Sequence, residues 1–144
     1  RIEQLDTPEN IYNRPATLYV ATFVGAPPMN LLAGAAGEGG VRIDGTDIVV
    51  PVTGLEGMAA GRRLLLGIRP EAVVQSGEGV SLSVRCEVAE LTGPELVVTA
   101  AMGSQRLVAA LPATARIAAG DEIALAVAPG AFHVFDAQTE QRLN

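Results

Sequence analysis

From Met29 onward the chain alternates apolar and polar positions with a period of two, as strands do when one face lies in a core. "VSLSVRCEV" is the clearest case: Val80, Leu82, Val84, Cys86 and Val88 point one way, and Ser81, Ser83, Arg85 and Glu87 the other. "VRIDGTDIVV" predicts a hairpin turning at Asp44-Gly45, with Val41 and Ile43 on one arm and Ile48 and Val50 on the other. Further strands are expected over Leu64 to Ile68, Leu96 to Ala101, Arg106 to Leu111, Glu122 to Val127 and Ala131 to Phe135. Turn signals separate them at Gly93-Pro94, Gly103-Ser104, Gly120-Asp121 and Pro129-Gly130. The stretch "AGAAGEGG", residues 33 to 40, reads as the most flexible part and as a joint between subdomains.

Before Met29 the period is helical. Thr7 offers an N-cap, Pro8 the first helical position and Glu9 an acid in the first turn. Pro15 interrupts that helix, and "ATLYVATFVG" then places Leu18, Tyr19, Thr22 and Phe23 at helical spacing before Gly25. Many short strands after one helical entry predict a mainly β fold, a small barrel or sandwich.

Composition narrows the chemistry. With 144 residues, 49% of them hydrophobic, the chain can bury a real core. Cys86 is the single cysteine, so no disulfide framework and no cysteine metal cluster is expected. No apolar stretch approaches a membrane span, and no basic leader precedes an apolar segment. Sixteen acids against ten arginines leave a net charge of -6. That balance opposes nucleic acid, whose backbone is bound by clustered cations. The chain contains no lysine, which excludes both a phosphate loop ending in Gly-Lys-Ser/Thr and Schiff-base catalysis.

No catalytic, cofactor or metal residues are assigned. His133, the one histidine, sits in "AFHVF" without an evident partner or nucleophile and reads as a half-buried or interface histidine. Cys86 lies on the apolar face of its strand, where a thiol behaves as a small hydrophobe. The glycine loops at 37 to 40 and 77 to 79 each carry a glutamate and read as solvated turns rather than phosphate cradles. "LGIRPE" sets Arg69 and Glu71 about Pro70. Proline removes a backbone donor, so the strand should leave its sheet there, with Arg69, Pro70 and Glu71 as a structural anchor of the bend.

Three blocks taken together, "EQLDTPENIYNRPATLYVATFVGAPPMNLL", "LGIRPE" and "AFHVFDAQTEQRL", resemble the C-terminal region of ATP-binding subunits of carbohydrate ABC importers, in the maltose and sn-glycerol-3-phosphate group. The likeness runs in order from Arg1 to about Leu143. It implies a regulatory tail of transport-associated barrels of the oligonucleotide-binding (OB) type, in residues 26–144, as one domain or two OB-like halves. Residues 1–25 would be the end of an ATPase domain and a helical joint, Arg1 to Leu5 being its last strand.

The resemblance further implies that the chain is a piece of a longer subunit, with ATP and magnesium held in the ATPase domain and no cofactor in this part. The tail would pair with its twin, sit through the full subunit against the transporter's membrane subunits at the cytoplasmic face of the bacterial inner membrane, and in some relatives receive signals from a cytoplasmic regulator. Val49, His133 and Phe135 are the candidate pairing residues: Val49 lies beside Pro51, and His133 and Phe135 face away from Phe132 and Val134 on a period of two. The alternative is a transport-associated barrel that captures a small oxyanion, as related modules do for molybdate. The acidic balance and the lack of an Arg-Ser/Thr cluster near a glycine turn speak against it.

Overall fold

A computed structural model describes residues 27–55 and 57–144. The expected helical entry and the last ATPase strand lie outside the described residues. The period-two pattern becomes ten strands: β1 Asn30–Gly37, β2 Gly40–Ile43, β3 Val49–Val50, β4 Arg63–Ile68, β5 Val73–Val74, β6 Val80–Thr92, β7 Glu95–Met102, β8 Gln105–Pro112, β9 Glu122–Val127 and β10 His133–Asp136. They form two five-stranded sheets, ordered β10-β4-β1-β2-β3 and β5-β9-β6-β7-β8. Every pairing is antiparallel. The second sheet curls until β8 meets β5, so the architecture is that of a nearly closed OB-type barrel.

The chain passes between the sheets twice, each time through a proline-led 3-10 turn. Pro70–Ala72 carries it from β4 to β5, and Pro129–Ala131 carries it back from β9 to β10. The two crossings are near copies: the residue before the turn has φ/ψ of -65/138 at Arg69 and -62/139 at Ala128. Proline has no N–H to give a ladder, so a strand that reaches one must stop pairing, and the preceding residue is held extended. The second turn explains one shift from expectation: the strand foreseen from Ala131 begins at His133, because Ala131 belongs to the turn.

A larger correction concerns residues 33 to 40. They are no joint: residues 33–37 are the second half of β1, and Gly40 opens β2 across a hairpin with Gly37 opposite Gly40. Alanine and glycine are small, and on a sheet small side chains let layers approach, so a run that resembles a linker is pairing backbone. Gly34 shows the need: a Cβ there would lie 2.6 Å from the Arg42 carbonyl oxygen.

The core is continuous across both sheets. Leu32, Ile43, Leu64, Leu66 and Val134 from the first pack with Leu82, Val98, Leu107, Leu111 and Leu125 from the second in one buried cluster. Phe132, at the exit of the second crossing turn, is the largest member. A second, small cluster of Met29, Phe135 and Leu65 lies apart from it, on the other side of β10 and β4.

Two side-chain amides join the sheets where no ladder does. Asn30 on β1 receives Val108 N–H at Oδ1, 2.7 Å, and donates from Nδ2 to Val108 C=O, 2.8 Å. Gln105 on β8 returns the arrangement: it accepts Ala33 N–H at 2.8 Å and donates to the carbonyls of Ala33 and Asp44, both 3.1 Å. β2 pairs with β1 only from Gly34 onward, so the first half of β1 has an open edge on that side. An amide mimics a peptide group, donor and acceptor in one plane, and satisfies backbone that would otherwise be buried unpaired.

Candidate interaction surface

The first crossing turn separates the two charges of "LGIRPE". Arg69, only 5% exposed, precedes the turn, accepts Ala72 N–H at its carbonyl, 2.9 Å, and is one of few charged side chains buried among the described residues. Glu71 is exposed and lines a cleft. Pro70 is buried at the first position of the turn, where its missing donor costs nothing.

Of the three residues expected at a pairing surface, the structure places only Val49 outside, at 42% exposure. His133 and Phe135 are buried within the chain, Phe135 completely. Phe135 faces away from the main core, as its period requires, yet Met29 and Leu65 close over it. His133 is held by the chain's own end: Arg142 Nη1 lies 2.7 Å from His133 Nδ1. An arginine can only donate, so Nδ1 is the acceptor and the imidazole proton sits on Nε2.

That C-terminal segment covers the edge of β10. Backbone bonds run from Asp136 N–H to Gln141 C=O, 2.9 Å, and from Leu143 N–H to Val134 C=O, 2.8 Å. The Asn144 side chain accepts Val134 N–H and donates to Phe132 C=O, both 2.9 Å. The reversal is set by Asp136, whose carboxylate accepts the Gln138 and Thr139 N–H groups at 2.8 Å each and also pairs with Arg62. Thr139 N–H, Arg62 and Gln138 N–H together hold its pKa at about 2, against an ordinary 3.8.

Reactive chemistry finds little support in this arrangement. Cys86 is buried, and burial, then the carboxylates of Asp121 and Glu87, push its thiol up, away from the thiolate a nucleophile needs. Among the described residues no group of three or more His, Cys, Asp or Glu could hold a metal. A cleft lies at the barrel seam between β5 and β8, lined by Val73 and Val74 from one strand, Ala110 and Pro112 from the other, and by Glu71 and Glu95. Carboxylates there disfavour an anion.

The outer face of β6, β7 and β8 is different in kind. Register pairs Val88 with Thr99 and Thr99 with Val108, and in the next row Glu90 with Val97 and Val97 with Ala110. These side chains point away from the core residues Val98, Ala100, Leu107 and Ala109 and are half-buried or exposed; Val88, expected on the core side with Cys86, is turned outward by a bulge between the two that breaks the period of two. Val88 is 45% exposed; Leu91, 70% exposed, pairs with core-facing Leu96 and so lies on the other face of the hairpin. The sequence carries a signal for this face: "LVVTAAM" is apolar on both alternating faces, whereas a sheet with one wet face should alternate. Asn30 and Gln105 had no such local signal, since each bonds backbone more than 70 residues away.

Comparison with known proteins sets these features in context. A family model described as the MalK OB fold domain matches residues 25–73, and one described as the TOBE domain matches residues 66–135. The matches overlap on residues 66–73, the segment of the first crossing turn. The sn-glycerol-3-phosphate import ATP-binding protein UgpC of Chromobacterium violaceum is 40% identical over 146 aligned positions, covering 99% of this chain and 39% of that protein. Its counterpart in Shigella sonnei is 38% identical, covering 98% and 40%, and that of Escherichia coli K12 is 37% identical with the same coverage. The chain thus spans about two-fifths of the length of the curated relatives it matches.

Proposed function

The chain belongs to the MalK-type OB-fold and TOBE domain family of ABC-importer ATP-binding subunits, and from that premise we propose that it is the C-terminal regulatory and dimerisation region of such a subunit in a carbohydrate or sn-glycerol-3-phosphate importer. The observation that carries the reading is the near-complete coverage of this chain by UgpC relatives at 37 to 40% identity. In this proposal the parent is the ATPase, binding ATP and magnesium outside this region, and this part is non-catalytic. The parent sits peripherally at the cytoplasmic face of the inner membrane against the importer's membrane subunits. Among the described residues no helix is long and apolar enough to cross a membrane.

The physical role is a tether. Two ATPase domains that separate after hydrolysis would drift apart unless a second contact holds their local concentration high, and a paired tail supplies that contact without touching nucleotide. The experiment compares the full subunit with a version ending before Pro27. The full subunit should sediment as a dimer without nucleotide, and the shortened one should dimerise only with ATP bound. A shortened subunit that stays dimeric without nucleotide would overturn the tether. Binding of a small oxyanion is less well supported, because the seam cleft is lined by Glu71 and Glu95 and no arginine lines it.

A further inference from the structure

We propose that the cleft between β5 and β8 is a strand-addition site: it takes a short extended segment of a partner protein, basic and aliphatic in alternation, along the outer edge of β5, as residues 141–144 lie along the outer edge of β10. The assignment does not rest on the tether reading.

The chain itself supplies the template. Its two crossings match in register: Val74, four residues after Pro70, stands opposite Ala126, and His133, four residues after Pro129, stands opposite Gly67. Each crossing delivers a strand to the edge of the sheet it enters, β5 beside β9 and β10 beside β4. On β10 the outer edge is filled. Phe132 C=O accepts Asn144 Nδ2, Val134 C=O accepts Leu143 N–H, and Val134 N–H donates to Asn144 Oδ1. An extended segment lies there, with Leu143 packed against the main core. The counterparts of Phe132 and Val134 after the first crossing are Val73 and Gln75, both of which line the cleft. Among the described strands none pairs with β5 on that side.

The opposite wall offers backbone as well. Val108 turns both of its backbone groups to Asn30, away from β7, and on a period of two Ala110 turns its own the same way, toward the cleft. β8 approaches β5 without a ladder. An edge without a neighbouring strand is a template for another chain, which pairs its backbone there and is selected by alternate side chains. Since β5 is only Val73–Val74, the addition is as short as the one on β10.

The lining selects those side chains. Val74, 41% exposed, Ala110 and Pro112 give apolar walls, Glu71 and Glu95 bring two carboxylates, and no cationic side chain lines the cleft, whose volume is about 720 Å³. An arginine or lysine can lay its aliphatic stem on the valines and point its charge at the carboxylates. The net charge of -6 favours approach of a basic segment, and the same carboxylates reject an acidic one.

The test is an NMR titration of the 144-residue chain with the blocked peptide acetyl-RLRVR-amide. Shifts should be confined to residues 71–76, 94–95 and 110–115, with a dissociation constant of about 0.1 to 1 mM for a contact this small. Glu95→Gln should weaken binding about 5-fold, and Val74→Arg, at an exposed position that folding tolerates, by at least about 10-fold. Acetyl-ELEVE-amide should not bind. Acetyl-RLPVR-amide, which keeps the charge but lacks the central N–H, should bind at least about 5-fold more weakly. No binding of the first peptide at about 5 mM, or shifts that map elsewhere, overturns the site. Equal binding of the proline peptide, or the same shifts from arginine amide alone, shows a small-cation site and overturns strand addition. Shifts of the same residues on raising the chain's own concentration, without peptide, assign the cleft to a second copy and overturn the proposal too. The tether is judged separately, by the sedimentation of the full and shortened subunits.

Discussion

At the residue scale, two charged side chains show how position decides the worth of a charge. Arg69 is buried before the first crossing turn, so removing its side chain empties packed interior space. Arg69→Ala should destabilise by about 2 to 3 kcal/mol. Glu71, two residues on and exposed, should contribute less than about 1 kcal/mol when replaced by Ala. Urea unfolding of the two variants checks this, and equal losses would show that the pair acts as one unit in the proposed anchor. Asp136 makes a pH prediction. Its pKa is depressed to about 2 when folded, so its contribution is fully present above the ordinary carboxylate value of 3.8 and is lost as pH falls toward 2. Asp136→Asn should therefore be less stable than the parent at neutral pH and show a shallower loss between pH 4 and 2. Thermal melts across that range would reveal it, and parallel pH profiles would count against it.

At the element scale, the junction of β1 and β8 depends on two amides rather than on a ladder. Asn30 bonds to Val108 and Gln105 to Ala33, in mirrored fashion, so each side chain satisfies both backbone groups of a residue on the other strand. Replacing Asn30 by leucine leaves Val108 N–H and C=O without these partners, and replacing Gln105 by leucine leaves Ala33 N–H without its acceptor, while Ala33 C=O keeps Asp44 N–H at 3.0 Å. A cost of about 2 kcal/mol is expected for each. Hydrogen exchange should speed up at Val108 in Asn30→Leu and at Ala33 in Gln105→Leu. Exchange that stays slow at both amides would mean that the strands find another closure. The crossing turns illustrate the opposite case, an element written locally: a proline after an extended residue stops pairing wherever it stands, and both crossings bear one.

At the scale of the molecule, the two family models overlap on the first crossing turn, yet they do not mark two independent bodies. β10 follows the whole second sheet in the chain but pairs with β4 of the first, and one buried cluster draws on both sheets. Neither sheet can be completed without the other, so unfolding should be a single transition. Calorimetry should return a van't Hoff enthalpy equal to the calorimetric one, and two resolved peaks would show separable halves. The same return of β10 explains why His133 and Phe135 are inside: the strand enters beside β4 and is covered by Gln141 to Asn144.

What the amino-acid order determined by itself was local: a mainly β chain, the places of β4, β6, β7, β8 and β9 though not β5, the far end of β6 or the start of β10, the hairpin at Asp44-Gly45, the break at Pro70 and, through its three blocks, the family. Each of these follows from spacing of apolar side chains or from a backbone restriction that acts within a few residues. Only the tertiary structure decided which strands share a sheet, that residues 33 to 40 pair rather than join, that Asn30 and Gln105 close a seam, and that Val97, Thr99 and Val108 face outward while His133 and Phe135 do not. Period two places neighbours on opposite faces, but which face meets a core depends on layers brought together from positions up to 78 residues apart. No local rule carries that information.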